Sequence, residues 1–140
     1  IGEIVKEFHS TRLWEKSYGK KLKVPTKIEA KVLVDADKLD QLGAYGILRA
    51  VFWCKENEFG LGDLGDFIEN SPNKEKWLKT YWKKFRKGEI TYAHNFILAL
   101  ETIYLRYKPE YFLTQTGKRL AAERIRFMHL FYQQLKKESI

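Results

Sequence analysis

Apolar residues recur every three or four positions through most of this chain, and this spacing predicts an all-α fold. The clearest case is a helix that begins after Pro25 and ends near Gly43. Thr26 is its predicted N-cap, and Glu29, three residues later, completes a capping-box pattern. The stripe that this helix is expected to bury consists of Ile28, Val32, Ala36 and Leu39.

The same spacing predicts further helices on both sides of this one. Residues 44–57 are apolar almost all round, which is typical of a helix at the centre of a bundle. Residues 59–70 are rich in glycine and acidic side chains and indicate a loop. The other predicted helices are 1–9, 71–88, 91–107 with Phe96, Leu100, Ile103 and Tyr104 inward, and one from Thr116 with Leu120, Ile125, Phe127, Met128 and Phe131 as its apolar positions.

Length and composition favour a single helical domain over residues 1–140. Cys54 is the only cysteine, which excludes a disulfide framework and a zinc site of four cysteines and favours a reducing, cytoplasmic compartment. No apolar run approaches the roughly 18 residues that a membrane span needs. The net charge of +8 favours anionic partners such as nucleotides, nucleic acid or acidic lipid.

Three carboxylates, Asp35, Asp37 and Asp40, interrupt the apolar stretch VDADKLDQLGAYGILR. A buried carboxylate needs a cationic side chain, backbone N–H groups at a helix start, or a metal. The cationic side chains that could form salt bridges with these carboxylates are Arg49, Arg124 and Lys118.

On a helix, these carboxylates do not converge on one point. Asp37 and Asp40 share a face, while Asp35 lies beside the apolar stripe. Lys38 is expected to project elsewhere, away from Asp37. Gly43 and Gly46 lower helix stability relative to alanine and therefore indicate a close approach of two backbones.

A strand is the alternative interpretation of AKVLVDAD, because Val32, Leu33 and Val34 are good strand formers. A strand that ends in Asp-x-Asp is similar to the first motif of haloacid-dehalogenase-type phosphatases. Leu39, however, stands where that motif has Thr or Val. The family also alternates strands and helices, whereas this chain shows mostly helical spacing.

The stretch EAKVLVDADKLDQLGAYGILRA resembles the part of HD-domain metal-dependent phosphohydrolases that carries their last metal-binding Asp. EFHS, at residues 7–10, resembles the helix end that precedes it in a small bacterial and archaeal group of this family. HNFILAL, at 94–100, and TQTGKRLAAERIRFMHLFYQQLKKE, at 114–138, resemble later segments of that group in the same order. The resemblance covers most of the chain, and its Asp-Ala-Asp part is the most specific.

This resemblance implies an all-α, HD-domain-like helical bundle around a divalent metal: Mn, Mg, Fe or Ni. The family binds the metal with a His, an adjacent His-Asp pair and a distant Asp, and Asp37 matches that Asp. Lys38 matches a Lys that contacts phosphate in related deoxynucleotide triphosphohydrolases. Asp35 and Asp40 would then hold the ligand or the helix junction in place.

The chain also departs from the family pattern. It contains no His-Asp dipeptide, and Leu98 replaces a family Lys. The first His and the His-Asp pair normally precede the position of Ile1. Either they, and the N-terminal helices of the bundle, lie upstream of this chain, as we expect, or the protein has lost its metal site. His9 is a candidate acid/base or phosphate-contacting residue. Arg12 and Lys16 are candidate phosphate ligands in a basic loop.

The sequence therefore predicts a metal-dependent phosphohydrolase that acts on a nucleotide or another small phosphate ester. A second hypothesis is a non-catalytic helical module that binds nucleic acid through a basic face. Its candidate stacking residues are Trp14, Trp77, Tyr81 and Trp82. His94 and His129 are interpreted as structural.

Overall fold

The computed structural model describes residues 16, 19, 21–56, 79, 83–84, 87 and 96–138. Within these ranges the chain forms helices and no strand, so the all-α prediction is confirmed for the described part. The four α-helices with defined bounds are α1 (Ile28–Leu39), α2 (Gly43–Glu56), α3 (Phe96–Thr102) and α4 (Gln115–Glu138). Two short 3-10 helices, Tyr104–Arg106 and Pro109–Tyr111, connect α3 to α4. Val32 and Val34 lie inside α1, so the strand that the haloacid-dehalogenase alternative requires at this position does not form, and the strand prediction is wrong.

Several sequence predictions lie outside the described residues. They are the helix at 1–9, the loop at 59–70, most of the helix at 71–88, and the side chains His9, Arg12, Trp14, Trp77, Tyr81, Trp82 and His94.

Helix α1 exists where the spacing predicted it, but it buries the opposite face. Its buried residues are Ala30, Val34, Asp35 and Leu39. Ile28 and Val32 are 60% and 52% exposed, so the predicted stripe was wrong except at Leu39. Each of these two lies two residues before a buried position, about 160° around the helix. The helix is turned so that Asp35 faces the protein interior.

The predicted capping box does not form at the start of α1. The N-cap is Lys27 rather than Thr26, and no side chain caps the helix there. At the other end, Arg124 Nη1 donates a hydrogen bond of 2.7 Å to the carbonyl of Leu39. Such carbonyls have no partner within their own helix. Arg124 of α4 therefore caps the C-terminal end of α1 and does not pair with one of the three carboxylates.

The turn from α1 into α2 needs both glycines, as the sequence indicated. Gly43 has φ +75°, a conformation that L side chains rarely adopt. A Cβ on Gly46 would lie far inside van der Waals distance of the Gln41 carbonyl group. The predicted close approach of two backbones is therefore confirmed at Gly46.

Helix α2 is not buried all round among the described residues. Ile47, Ala50 and Cys54 lie in the core, whereas Leu48 and Phe52 on another face are exposed. The prediction that this helix runs through the centre of a bundle is therefore only half correct. One apolar face of α2 is left open to solvent.

The helix predicted for 91–107 ends earlier, at Thr102. Arg106 Nε donates to the carbonyl of Glu101 at 3.2 Å, which gives this carbonyl a partner after the α-helix has ended. The buried Glu101 carboxylate accepts a hydrogen bond from the hydroxyl of Tyr132. This contact links α3 to α4. Tyr104, expected inward, is half-buried.

Helix α4 is the longest described element and packs against both α1 and α2. It begins at Gln115, one residue before the predicted Thr116. Of its predicted apolar positions, Ile125 and Met128 are buried, whereas Phe127 is exposed. The largest fully buried side chains of the core are Tyr107, Tyr132, Phe112, Leu42, Leu100 and Met128. No described helix combines the length and the apolar character needed to cross a membrane.

Candidate functional site

Asp35 is a buried carboxylate whose hydrogen bonds all go to the start of α4. Its side chain is only 3% exposed. Oδ1 accepts from the backbone N–H of Leu113 at 2.8 Å, and Oδ2 accepts from the N–H and the hydroxyl of Thr114, both at 2.7 Å. Amides at a helix start have no partner within the helix and carry partial positive charge. Asp35 is thus compensated by backbone N–H groups and not by a cation.

Thr114 and Gly117 complete this contact. The N–H of Gly117 donates to Thr114 Oγ1 at 2.9 Å, so Thr114 is the N-cap of α4. A Cβ on Gly117 would overlap the Asp35 carboxylate, so the missing side chain leaves room for it. The contact fixes α1 against α4, and it explains why α1 buries the face that carries Asp35.

Asp37 lies on a different side of α1 and remains accessible. Its side chain is 30% exposed, and its Oδ2 lies 2.5 Å from Lys38 Nζ. The prediction that Lys38 projects away from Asp37 was wrong, because its long side chain turns back to the neighbouring carboxylate. Asp37 Oδ1 accepts no hydrogen bond from any described residue. Among the described residues, one oxygen of the Asp37 carboxylate is therefore held by hydrogen bonds and the other has no partner.

Sequence reasoning missed Gln41 and Tyr107, which extend this pair. Gln41 Nε2 lies 3.5 Å from Asp37 Oδ2 and 3.4 Å from the Asp37 carbonyl oxygen. The hydroxyl of Tyr107 donates to Gln41 Oε1 at 3.3 Å, which orients the amide so that its NH₂ faces Asp37. The spacing of four from Asp37 to Gln41 is a usable signal. The Tyr107 contact crosses 66 residues of sequence and leaves no such signal.

The remaining described candidates do not gather around Asp37. Asp40 is exposed at the C-cap of α1. Lys16 donates to the carbonyl of Tyr111 at 3.5 Å and lies 5.6 Å from the centre of the Tyr111 ring. Within the described ranges, no group of three or more His, Cys, Asp or Glu side chains is placed to hold a metal ion.

An open cavity of about 660 Å³ borders this region, between α2 and the segment that contains α3. Gln41 forms part of its wall and also contacts Asp37. Its other lining residues include the aromatic Tyr45, Phe52, Trp53 and Tyr104, the charged Arg49 and Glu56, and the buried Cys54.

Burial raises the pKa of the Cys54 thiol above its ordinary value, because a thiolate would lose its hydration. The thiol is therefore protonated at pH 7. We expect it to react with a disulfide reagent such as dithionitrobenzoate at least about tenfold more slowly in the folded protein than in guanidinium. Because Cys54 is the only cysteine of the chain, absorbance of the released thiolate reports on it alone. Equal rates in the two conditions would contradict the burial.

The chain is similar to the protein named "Uncharacterized protein YpgQ" from Bacillus subtilis (strain 168). The two are 35% identical over 128 residues, which is 91% of this chain and 48% of the relative. The chain therefore spans about half the length of the relative that it matches. No family model and no solved structure matches the chain.

Proposed function

We propose that this chain is part of an HD-domain-like, metal-dependent phosphohydrolase that acts on a nucleotide or a related phosphate ester. The observation that carries the proposal is the contrast between Asp35 and Asp37. Both carboxylate oxygens of Asp35 accept hydrogen bonds from the start of α4, whereas one oxygen of Asp37, whose side chain is 30% exposed, accepts none from the described residues. The resemblance of DADKLD to the metal-binding stretch of that family points to the same residue.

The donor chemistry of Asp37 fits a divalent metal. A partly exposed carboxylate is a suitable ligand for Mn, Mg, Fe or Ni. Gln41 and Lys38 hold the other oxygen and thereby fix the carboxylate, as partners of metal ligands commonly do. The described residues supply only this one candidate ligand, so the proposal requires the remaining ligands from outside the described ranges.

When bound, such a metal polarises a phosphoryl oxygen and makes a water molecule a better nucleophile. The chain's own residues have simpler tasks. Asp37 would supply a carboxylate oxygen to the metal, and Lys38, whose ammonium pairs with the same carboxylate, would offset the charge of the substrate phosphate. His9 and Arg12 are proposed to meet the substrate from the segment before Lys16. Asp35 acts on the site only by fixing α1 against α4.

The proposal is tested by phosphate or pyrophosphate release from nucleoside triphosphates by the full-length protein, with each metal and with a chelator. In Lys38→Met, we expect metal to be retained when it is supplied in excess, because the substitution removes a partner of the Asp37 carboxylate and not the ligand itself. We expect KM to rise about tenfold or more, because a charge-assisted contact to phosphate contributes about 1.5–3 kcal/mol.

Lys55→Met is the matched control, since Lys55 is exposed on α2 and does not line the cavity. It should leave KM within about twofold. A KM for Lys38→Met that matches this control would contradict the role of Lys38. No metal-dependent release with any nucleotide would contradict the proposed function itself.

A further inference from the structure

The cavity beside Gln41 has walls suited to a flat ring. Four of its lining side chains are aromatic: Tyr45, Phe52, Trp53 and Tyr104. Tyr45 and Phe52 are largely exposed, although both lie on a helix with a well-buried opposite face. Aromatic faces stack favourably on planar ring systems such as nucleobases. The volume of about 660 Å³ lies in the range of small-molecule sites.

Two charged side chains, Arg49 and Glu56, also line this cavity. Arg49 follows Tyr45 by four residues and precedes Phe52 by three, so all three share one face of α2. Glu56 lies about 10 Å beyond Arg49 along the axis of the same helix. A guanidinium donates hydrogen bonds and a carboxylate accepts them. This pairing suits a neutral heteroaromatic ring that carries both acceptors and amino donors, rather than a purely hydrocarbon ligand.

The cavity and the candidate metal ligand meet at Gln41. Gln41 lines the cavity and its amide nitrogen lies 3.5 Å from Asp37 Oδ2, although Asp37 and Lys38 are not among the lining residues. Lys38 Nζ contacts the same carboxylate oxygen. A ligand with its phosphate beside Lys38 would extend past Gln41 to reach the aromatic rings.

We propose that this cavity is the subsite for the heteroaromatic base of a nucleotide substrate. It would favour phosphate esters that carry such a ring over esters that lack one. The inference rests on the proposed function for its phosphate end, but base binding in the cavity can be measured without metal and without hydrolysis. The competing occupant is a helix or peptide of a partner protein, packed on the exposed Tyr45, Leu48 and Phe52.

The experiment uses the full-length protein with chelator present and no phosphate in the ligand. Adenosine, guanosine, cytidine and thymidine are titrated and followed by ligand-observed saturation-transfer NMR, with ribose as the ring-free control. We expect at least one nucleoside to bind through its base protons, and ribose not to bind. Phe52→Ala should weaken that binding about fivefold to a hundredfold, because it removes a stacking face.

Phe127→Ala is the matched control. Phe127 is also an exposed phenylalanine on a helix, 44% against 62% for Phe52, but it does not line the cavity. It should leave nucleoside binding within about twofold. Absence of nucleoside binding, or equal weakening by the two variants, would overturn the inference and favour a peptide or protein occupant.

The two proposals fail in different ways. Nucleoside binding that depends on Phe52, without any metal-dependent phosphate release, would support the base subsite and overturn the hydrolase. Metal-dependent release at the same kcat/KM from nucleotides and from ring-free phosphate esters, unchanged in Phe52→Ala, would overturn the base subsite and support the hydrolase.

Discussion

Asp35→Ala is expected to lower the free energy of unfolding by about 4 kcal/mol. The substitution removes three hydrogen bonds to a charged acceptor, and it leaves the N–H groups of Leu113 and Thr114 without that acceptor. A hydrogen bond to a charged group contributes about 1.5–3 kcal/mol, and the three contributions are not fully additive. Urea denaturation followed by far-UV circular dichroism measures the loss.

Two further variants separate the carboxylate from its surroundings. Asp40→Ala removes an exposed carboxylate from the end of the same helix, so we expect a change within about 0.5 kcal/mol. Thr114→Ser keeps the hydroxyl that bonds Asp35, whereas Thr114→Val removes it and should cost about 1 kcal/mol or more. An Asp35→Ala variant no less stable than Asp40→Ala would contradict the role assigned to this contact.

Asp35 also explains why the sequence located α1 but not its buried face. Apolar spacing alone favours burial of Ile28 and Val32, since the rule counts carboxylates as surface residues. The rule cannot include the start of α4, 78 residues away, where amide N–H groups with no partner in the helix donate hydrogen bonds to the carboxylate. One long-range polar contact therefore outweighs the burial of two aliphatic side chains. The Gly43 and Gly46 turn is local, and it could be read from the sequence.

The early end of α3 has a similar origin. The spacing of Phe96, Leu100 and Ile103 continues smoothly, so nothing local predicts an end at Thr102. Tertiary packing decides it. Tyr107 is fully buried, and its hydroxyl reaches Gln41 from a 3-10 turn that leads out of the helix.

Only those residues of the candidate site that lie close together in the sequence could be predicted from it. Asp37 and Lys38 are adjacent in one motif, so a sequence pattern identifies both. Gln41 lies one turn away and could have been found from its spacing. The cavity could not be predicted from the sequence, because its walls combine α2 with residues near position 100. It also lies on an exposed face of α2, a helix that its apolar sequence predicts to be fully buried.

The last prediction concerns Asp37, on which the proposed function depends. In the full-length protein, Asp37→Ala should lose most bound metal and reduce hydrolysis by about a thousandfold or more. The change removes a charged ligand, whereas loss of a residue that only supports a ligand typically costs about 10- to 100-fold. Asp35 cannot replace it, because both of its oxygens are engaged at the start of α4. Elemental analysis and phosphate release are measured on the same preparations.

Stability distinguishes a metal ligand from a structural carboxylate here. The Asp37 side chain is 30% exposed, and its partners among the described residues, Lys38 and Gln41, are close to it in sequence, so Asp37→Ala should change the unfolding free energy of the metal-free protein by less than about 1 kcal/mol. Asp35→Ala should show the reverse pattern, with a large loss of stability and with metal retained by the fraction that stays folded. Asp40→Ala should change neither quantity. Full metal content and full activity in Asp37→Ala would contradict the assignment of Asp37 as a metal ligand, and the hydrolase proposal would then lose the residue on which it rests.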